Sequence, residues 1–182
     1  ARNSQIALLQ CNTNYTASVE NFRFIQLNVL KEYRRRYPGM VLGLSDHTPG
    51  HATVLGAVAL GARVIEKHFT DDLTRVGPDH AFSMDPRTWR EMVDRTRELE
   101  NSLGGEQKKI EDNERETAVL QRRSVRLLRD VTAGEVLSGD ALTALRPCPV
   151  VALPPFEIPK VVGKRAKQAM KSGAVVRWED IE

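Results

Sequence analysis

The amino-acid sequence predicts an α/β fold with a parallel sheet, followed by a small, mostly β domain. Over residues 1–105, short apolar runs alternate with stretches of helical periodicity through short connections, which is typical of β/α repeats. Charged residues dominate residues 106–121, and we interpret this stretch as an exposed linker. Over residues 122–182, short apolar runs between glycine turns replace the helical periodicity, which indicates a second domain.

Strands and helices alternate in the first domain. Apolar runs that end in polar residues predict strands over residues 6–11, 41–44 and 64–68. Apolar residues at helical spacing predict helices over residues 18–36, 51–60 and 86–103. The first helix begins at Ser18, a suitable N-cap, and ends in a basic run that suits the helix dipole. The last begins with Asp85 and Pro86, a cap followed by a first-turn proline.

The second domain contains a half repeat. Residues 134–142 resemble residues 173–181, since each stretch carries a glycine, two or three apolar residues and a short acidic turn. Such a repeat indicates a small β domain with internal pseudo-symmetry.

Composition limits the possible classes of function. The chain has 182 residues, of which 41% are hydrophobic and 28% charged, as in an ordinary soluble globular protein. Aromatic residues are only 5% and basic residues are mixed with acidic ones, so we expect no nucleic-acid partner. No run approaches the roughly 18 apolar residues of a membrane span. Cys11 and Cys148 match no metal-ligand spacing, so we expect free thiols and a cytoplasmic protein.

Two histidines follow neighbouring predicted strands. His47 and His68 are about one strand–helix–strand repeat apart, and equivalent positions on parallel strands lie side by side. Neutral imidazole is a good ligand for Mn²⁺, Fe²⁺ or Zn²⁺, so the pair can share a metal ion. The alternative is two hydrogen-bonded histidines at strand ends, and spacing leaves both interpretations open.

Further polar residues belong to the same predicted edge of the sheet. Hydroxyl and amide groups there can bind phosphate or carboxylate, although each residue is also a common turn former; the residues are Asn12, Asn14, Tyr15, Ser45 and Thr48. Asp79 and His80 follow the third strand in a glycine–proline loop, where they either contact a sugar hydroxyl or are solvated. Arg146, in the second domain, is by itself an ordinary surface residue.

Several motifs together resemble the sialic acid synthase family, which makes N-acetylneuraminate, legionaminate and pseudaminate. In the first domain they are Gly43-Leu-Ser-Asp-His-Thr, Ala57-Val-Ala-Leu-Gly-Ala, Glu66-Lys-His-Phe-Thr and Gly77-Pro-Asp-His. In the second they include Ala133-Gly-Glu-Val-Leu, Leu145-Arg-Pro, Val162-Gly-Lys and Trp178-Glu-Asp-Ile, which resemble the family's SAF (antifreeze-like) domain. The resemblance covers essentially the whole chain, in order.

The resemblance implies a specific architecture. Residues 1–105 would be the last three β/α units of a (β/α)₈ TIM barrel, and residues 122–182 a SAF domain with a β-clip fold. Residues before Ala1 would then supply five further strands and other substrate-binding residues. We therefore expect this chain to be the C-terminal portion of a longer enzyme, inactive by itself.

The resemblance also implies a reaction. Family members condense phosphoenolpyruvate with an N-acylated mannosamine-type sugar and release phosphate through cleavage of the C–O bond. A divalent metal, most often Mn²⁺ with Mg²⁺ or Co²⁺ as alternatives, would be held by His47 and His68. These two histidines are thus the expected catalytic residues as well as the metal ligands.

Residue by residue, the resemblance assigns the remaining substrate contacts. Tyr15 and Ser45 match phosphoenolpyruvate-binding positions, and the accompanying amide is Asn14 or Asn12. Asp79 matches an acid that contacts the acceptor sugar. Arg146 matches an arginine that one subunit places in its partner's active site, which implies a domain-swapped homodimer.

Two points keep the sequence interpretation open. Cys148 stands where glycine often follows Arg-Pro in the family, so the acceptor sugar is not determined. The alternative function is a non-catalytic carbohydrate-binding module built on the SAF domain.

Overall fold

The computed structural model describes residues 3–15 and 18–182. The chain forms two compact units, Ala1–Glu106 and Gln107–Glu182, which are described separately. Among the described residues, no helix has both the length and the apolar character needed to cross a bilayer.

The first unit is built on a three-stranded parallel sheet in the order β1-β2-β3. Its strands are β1 (Ala7–Cys11), β2 (Val41–Asp46) and β3 (Val64–Lys67). Its helices are α1 (Val29–Arg36), α2 (Ala52–Ala59) and α3 (Pro86–Leu103). The predicted α/β fold with a parallel sheet is therefore confirmed. Ser45 of β2 lies in register between Cys11 and Glu66, so the carboxyl ends of the three strands form one edge.

The single helix predicted over residues 18–36 is wrong. The structure has a 3₁₀ helix at Val19–Phe24, then a break at Gln26, whose backbone φ is 55°. The break has a tertiary cause, because the Ile25 carbonyl accepts a 2.9 Å hydrogen bond from the side-chain amide of Gln10 on β1. That bond and the burial of Ile25 hold the chain against the sheet instead of continuing the helix.

The strands on either side of β2 approach its backbone closely at Gly43. A Cβ atom at this position would lie 2.6 Å from the Val64 carbonyl oxygen and 2.7 Å from Leu9 Cγ. These neighbours belong to the two flanking strands, so a side chain forces both strands outward.

We expect Gly43→Ala to lower the free energy of unfolding by about 1–3 kcal/mol, the usual cost of overpacking. Urea denaturation measures this. The control is Gly39→Ala, because a Cβ at Gly39 meets no atom within 4 Å. Equal stability of the two variants would contradict the close approach.

The N-terminus of α3 is closed by a reciprocal cap. Asp85 Oδ1 accepts hydrogen bonds from the Thr88 amide at 2.7 Å and from Thr88 Oγ1 at 2.6 Å. The Thr88 hydroxyl hydrogen bond, followed by the amide hydrogen bond, lowers the pKa of Asp85 from its ordinary value of 3.8. A carboxyl whose pKa is lowered by folding stabilises the fold above its unfolded pKa and loses that contribution as the pH falls through the folded value.

We therefore expect Asp85→Asn, which keeps a capping oxygen but removes the charge, to weaken the acid sensitivity of the protein. The urea midpoint of the variant should fall less than that of the wild type between pH 6 and pH 3. An equal fall in both proteins would show that the Asp85 charge does not contribute.

The second unit contains one regular antiparallel pair among its described strands, β4 (Ser124–Leu127) with β5 (Leu142–Leu145). Its helices are α4 (Arg115–Gln121) and the short α5 (Ile158–Val161). The half repeat is visible in the structure: Gly134 and Gly173 have φ values of 81° and 80°. Leu137 and Val176, each three residues further on, are both fully buried.

The charged segment has more regular structure than a linker requires. Residues 106–121 include α4, and the Val119 carbonyl accepts a 2.9 Å hydrogen bond from the Cys148 amide of the second unit. Most of the segment is exposed to solvent, as predicted.

Candidate functional site

Four polar side chains lie on the same face of the sheet, at the edge formed by the carboxyl ends of the strands. Successive residues of a strand point to opposite faces, so Ser45 and His47 share a face at the end of β2, as do Glu66 and His68 at the end of β3. Ser45 Oγ donates a 2.9 Å hydrogen bond to Glu66 Oε1, which ties the two strand ends together.

The two predicted metal ligands are close to each other. The ring centroids of His47 and His68 are 5.1 Å apart. Tyr15 lies against both imidazoles, at 4.1 Å from His47 and 5.5 Å from His68. On the buried side, Phe82 lies 6.0 Å from His47 and 5.0 Å from His68 and is only 3% exposed. The four rings form one cluster, in which Tyr15 is the solvent-exposed member at 55%.

The Nδ1 atom of each imidazole faces an oxygen atom, and at His47 this oxygen is within hydrogen-bond distance. His47 Nδ1 lies 2.9 Å from the backbone carbonyl oxygen of Asn12, which only accepts hydrogen bonds, so Nδ1 carries the proton. His68 Nδ1 lies 3.6 Å from Asp79 Oδ2, a separation too long for a hydrogen bond. In neutral His47, Nε2 then keeps its lone pair, as in metal-bound histidines oriented by an outer hydrogen-bond partner.

This donor chemistry fits a divalent metal ion. Two imidazole nitrogens are suitable ligands, and the orientation of His47 is fixed in advance by its hydrogen bond to Asn12. Within the described ranges, no group of three or more histidine, cysteine, aspartate or glutamate side chains is arranged to hold a metal. The histidine pair is therefore an open ligand set.

The loop after β3 holds Asp79 beside His68. The amide of Met84 donates to the His68 carbonyl, and the amide of Thr70 donates to the Met84 carbonyl, both at 2.9 Å. Thr70 Oγ1 and His80 Nδ1 are 2.8 Å apart, so His80 closes the loop. Of the two loop residues predicted to meet a sugar, Asp79 is the one that lies at the histidine pair.

The amide side chains near Tyr15 are engaged within their own segment. Asn12 Nδ2 donates to the Phe24 carbonyl at 3.2 Å, and Asn14 Nδ2 donates to Asn21 Oδ1 at 3.3 Å. Thr48 was predicted at the accessible edge, but this expectation is wrong. Its side chain is fully buried, and its Oγ1 is satisfied by donating to Asp46 Oδ1 at 2.9 Å.

A buried ion pair lies directly beneath the histidines. Lys67 Nζ is 2.6 Å from Asp46 Oδ2, and neither side chain is exposed to solvent. Sequence analysis missed this pair, although the strand alternation that directs His47 and His68 to one face directs Asp46 and Lys67 to the other. Sequence analysis likewise missed Phe82. The available signal was that Phe82 is the one Phe, Tyr or Trp in the otherwise polar loop of residues 70–84.

Arg146 belongs to the second unit. Its Nε donates a 2.7 Å hydrogen bond to the backbone carbonyl of Gln121, and the residue is exposed. This bond fixes the base of the guanidinium group at the end of α4.

Comparison with known proteins decides the family. Residues 1–108 match the model of the NeuB family. The chain belongs to the NeuB family. Residues 122–182 match the SAF domain, so both parts of the predicted family resemblance are confirmed.

Relatives of this NeuB-family chain include named synthases. It is 39% identical over 177 residues to the N,N'-diacetyllegionaminic acid synthase of Legionella pneumophila, covering 97% of this chain and 48% of that protein. It is 34% identical over 180 residues to the human N-acetylneuraminate-9-phosphate synthase, covering 99% of this chain and 49% of that protein. The chain thus spans about half the length of these curated relatives.

A solved structure shows the same likeness. A Chromobacterium violaceum protein named for spore coat polysaccharide biosynthesis superposes with a TM-score of 0.63 at 27% identity, covering 97% of this chain and 52% of that one.

Proposed function

We propose that the protein is a nonulosonate synthase, which joins phosphoenolpyruvate to an N-acylated mannosamine-type sugar and releases phosphate. The observation that carries the proposal is membership of the NeuB family, whose matched relatives are named as synthases of legionaminic acid and N-acetylneuraminate 9-phosphate. The cluster of paired imidazoles, a carboxylate and a tyrosine at one sheet edge supports it.

In the proposed reaction, C3 of phosphoenolpyruvate forms a bond to the aldehyde carbon of the open-chain sugar. Water adds to C2, giving a tetrahedral intermediate. The C2–O bond then breaks, and phosphate leaves with the bridging oxygen. The aldehyde oxygen takes up a proton and becomes a hydroxyl group.

His47 and His68 would hold a divalent metal through Nε2, with Mn²⁺ the first candidate and Mg²⁺ or Co²⁺ the alternatives. When bound, such an ion supplies a Lewis acid that polarises the sugar aldehyde. The Asn12 carbonyl holds His47 in the tautomer that ligation requires, and the Asp79 carboxylate lies 3.6 Å from His68 Nδ1.

We assign the other predicted site residues the roles that the family resemblance implies. Tyr15 and Ser45, with Asn14 nearby, would contact phosphoenolpyruvate on the exposed face of the imidazoles. Asp79 is half exposed and is free to accept a hydrogen bond from an acceptor hydroxyl on its second oxygen. Arg146 would reach the acyl group of a sugar bound to the partner subunit.

The family also suggests the larger architecture. We propose that the three β/α units close a (β/α)₈ barrel with other units, because sites of such barrels lie at the carboxyl ends of the strands, where the histidines are found. The SAF unit would have a β-clip fold, and two cytoplasmic subunits would form a domain-swapped homodimer.

A phosphate-release assay on the full-length protein tests the proposal. Release should require phosphoenolpyruvate, an N-acylated mannosamine and Mn²⁺ together, and it should stop on chelation and resume when Mn²⁺ is restored. The C2-epimeric N-acetylglucosamine is the matched control acceptor. If the protein binds the sugar but releases no phosphate from phosphoenolpyruvate with any N-acylated mannosamine, a non-catalytic carbohydrate-binding module is supported instead.

A further inference from the structure

We infer that a buried network beneath the site, formed by Asp46, Thr48, Thr53 and Lys67, is a positioning device for both imidazoles. The network touches neither ring. It fixes the two backbone segments from which the rings project. Its consequence for metal affinity rests on the proposed function, whereas its consequence for the His47 ring does not.

One carboxylate organises the network. Asp46 Oδ2 accepts from Lys67 Nζ and from Thr53 Oγ1, each at 2.6 Å. Asp46 Oδ1 accepts from the Thr48 amide at 3.1 Å and from Thr48 Oγ1 at 2.9 Å. Lys67 Nζ also donates to the Thr48 carbonyl at 2.7 Å. The end of β2, the first turn of α2 and the end of β3 are therefore joined at one point.

The network encloses His47 on both sides along the chain. Asp46 precedes it and Thr48 follows it, and both are bonded to each other and to Lys67. Lys67 immediately precedes His68. The segments that carry the two rings are thus tied to a single carboxylate, and a change in that carboxylate alters the separation of the rings.

Energetics favour a positioning role over a simple gain in stability. A buried ion pair gains little net stability, because the cost of removing both charges from water offsets their attraction. Replacing such a pair by well-packed hydrophobic side chains of similar size is often neutral for folding. The geometry, however, depends on the particular bonds that Asp46 makes, which an uncharged pair does not reproduce.

The first test is the double variant Asp46→Asn/Lys67→Met, which removes both charges with little change in volume. We expect it to fold, and to bind Mn²⁺ more weakly than the wild type, by at most the roughly 10–100-fold loss that follows removal of a hydrogen-bonded outer partner of a metal ligand, because the network acts on the rings only through the backbone. Electron paramagnetic resonance of free Mn²⁺ measures the affinity. The control Asp130→Asn/Lys171→Met removes an exposed ion pair of the second unit and should leave the affinity unchanged.

The second measurement needs no metal. Side-chain ¹⁵N NMR of the metal-free protein distinguishes a protonated Nδ1 from a protonated Nε2. The wild type should show His47 as the Nδ1–H tautomer, bonded to Asn12, and the double variant should show a mixture. If the wild type binds none of Mn²⁺, Mg²⁺ and Co²⁺, the proposed metal site fails, but the tautomer comparison still decides whether the network positions the ring.

Thr53 provides a milder test if the double variant does not fold. Thr53→Val removes one hydroxyl with the same shape, and Thr53→Ser retains it. We expect the valine variant to lose about tenfold in Mn²⁺ affinity and to show the mixed His47 tautomer, and the serine variant to resemble the wild type. Wild-type tautomer and affinity in Thr53→Val, and in the double variant if it folds, would overturn the inference.

Discussion

Replacing His47 and His68 together by alanine is expected to abolish stoichiometric Mn²⁺ binding. Each change removes one of the two imidazole nitrogens that the sheet edge offers to a metal. The loss from either single change should exceed the roughly 10–100-fold typical of an outer-sphere substitution, because a ligand itself is removed. Phosphate release by the full-length protein should disappear in parallel. Electron paramagnetic resonance and the phosphate assay measure the two effects.

His51→Ala is the matched control for this prediction. His51 precedes α2 in the same unit but makes no ring contact with the Tyr15, His47, His68 and Phe82 cluster among the described residues. Its replacement should leave metal binding and phosphate release unchanged. Stoichiometric Mn²⁺ retained by the double histidine variant would rule out the site.

Lys67→Met alone is expected to lower the free energy of unfolding by about 3–5 kcal/mol, because it leaves the Asp46 carboxylate buried without its charge partner. The wild-type pair is 2.6 Å apart, with neither side chain exposed to solvent. Asp46→Asn should also destabilise the protein, by leaving the ammonium group unpaired. Urea denaturation measures both.

The double variant Asp46→Asn/Lys67→Met should recover much of this loss, giving a large coupling energy in a double-mutant cycle. The exposed Arg90–Asp94 pair of α3 is the control, since charges in solvent contribute little. If the Lys67 and Asp46 effects simply added, the two residues would not form the pair that the structure shows.

Local patterns were sufficient to predict most of the first unit. The apolar runs, the Asp85 cap and the strand-end histidines are encoded within a few residues of sequence, and the structure has each of them. The assignment of Asp79 to the site depended on the family resemblance, because a glycine–proline loop has no periodicity from which its conformation, and so its position beside His68, can be inferred.

The features that sequence analysis missed depend on residues far apart in the chain. The helix break at Gln26 results from a hydrogen bond between Ile25 and Gln10 on β1, which helical periodicity cannot reveal. Thr48 is of a residue type common in turns, but it is buried, where its hydroxyl group donates to the Asp46 carboxylate and its carbonyl accepts from the Lys67 ammonium. A charged residue on the helix-facing side of a strand is the signal that would have identified this network.

The fate of the bridging oxygen of phosphoenolpyruvate tests the account most directly. The full-length protein would be given Mn²⁺, N-acetylmannosamine and phosphoenolpyruvate carrying ¹⁸O between C2 and phosphorus, and the products analysed by mass spectrometry. We predict that ¹⁸O appears in the released phosphate, that an N-acetylated keto acid with a nine-carbon chain forms in equal amount, and that both depend on His47 and His68. Phosphate without ¹⁸O, or released without the sugar, would contradict the proposed condensation.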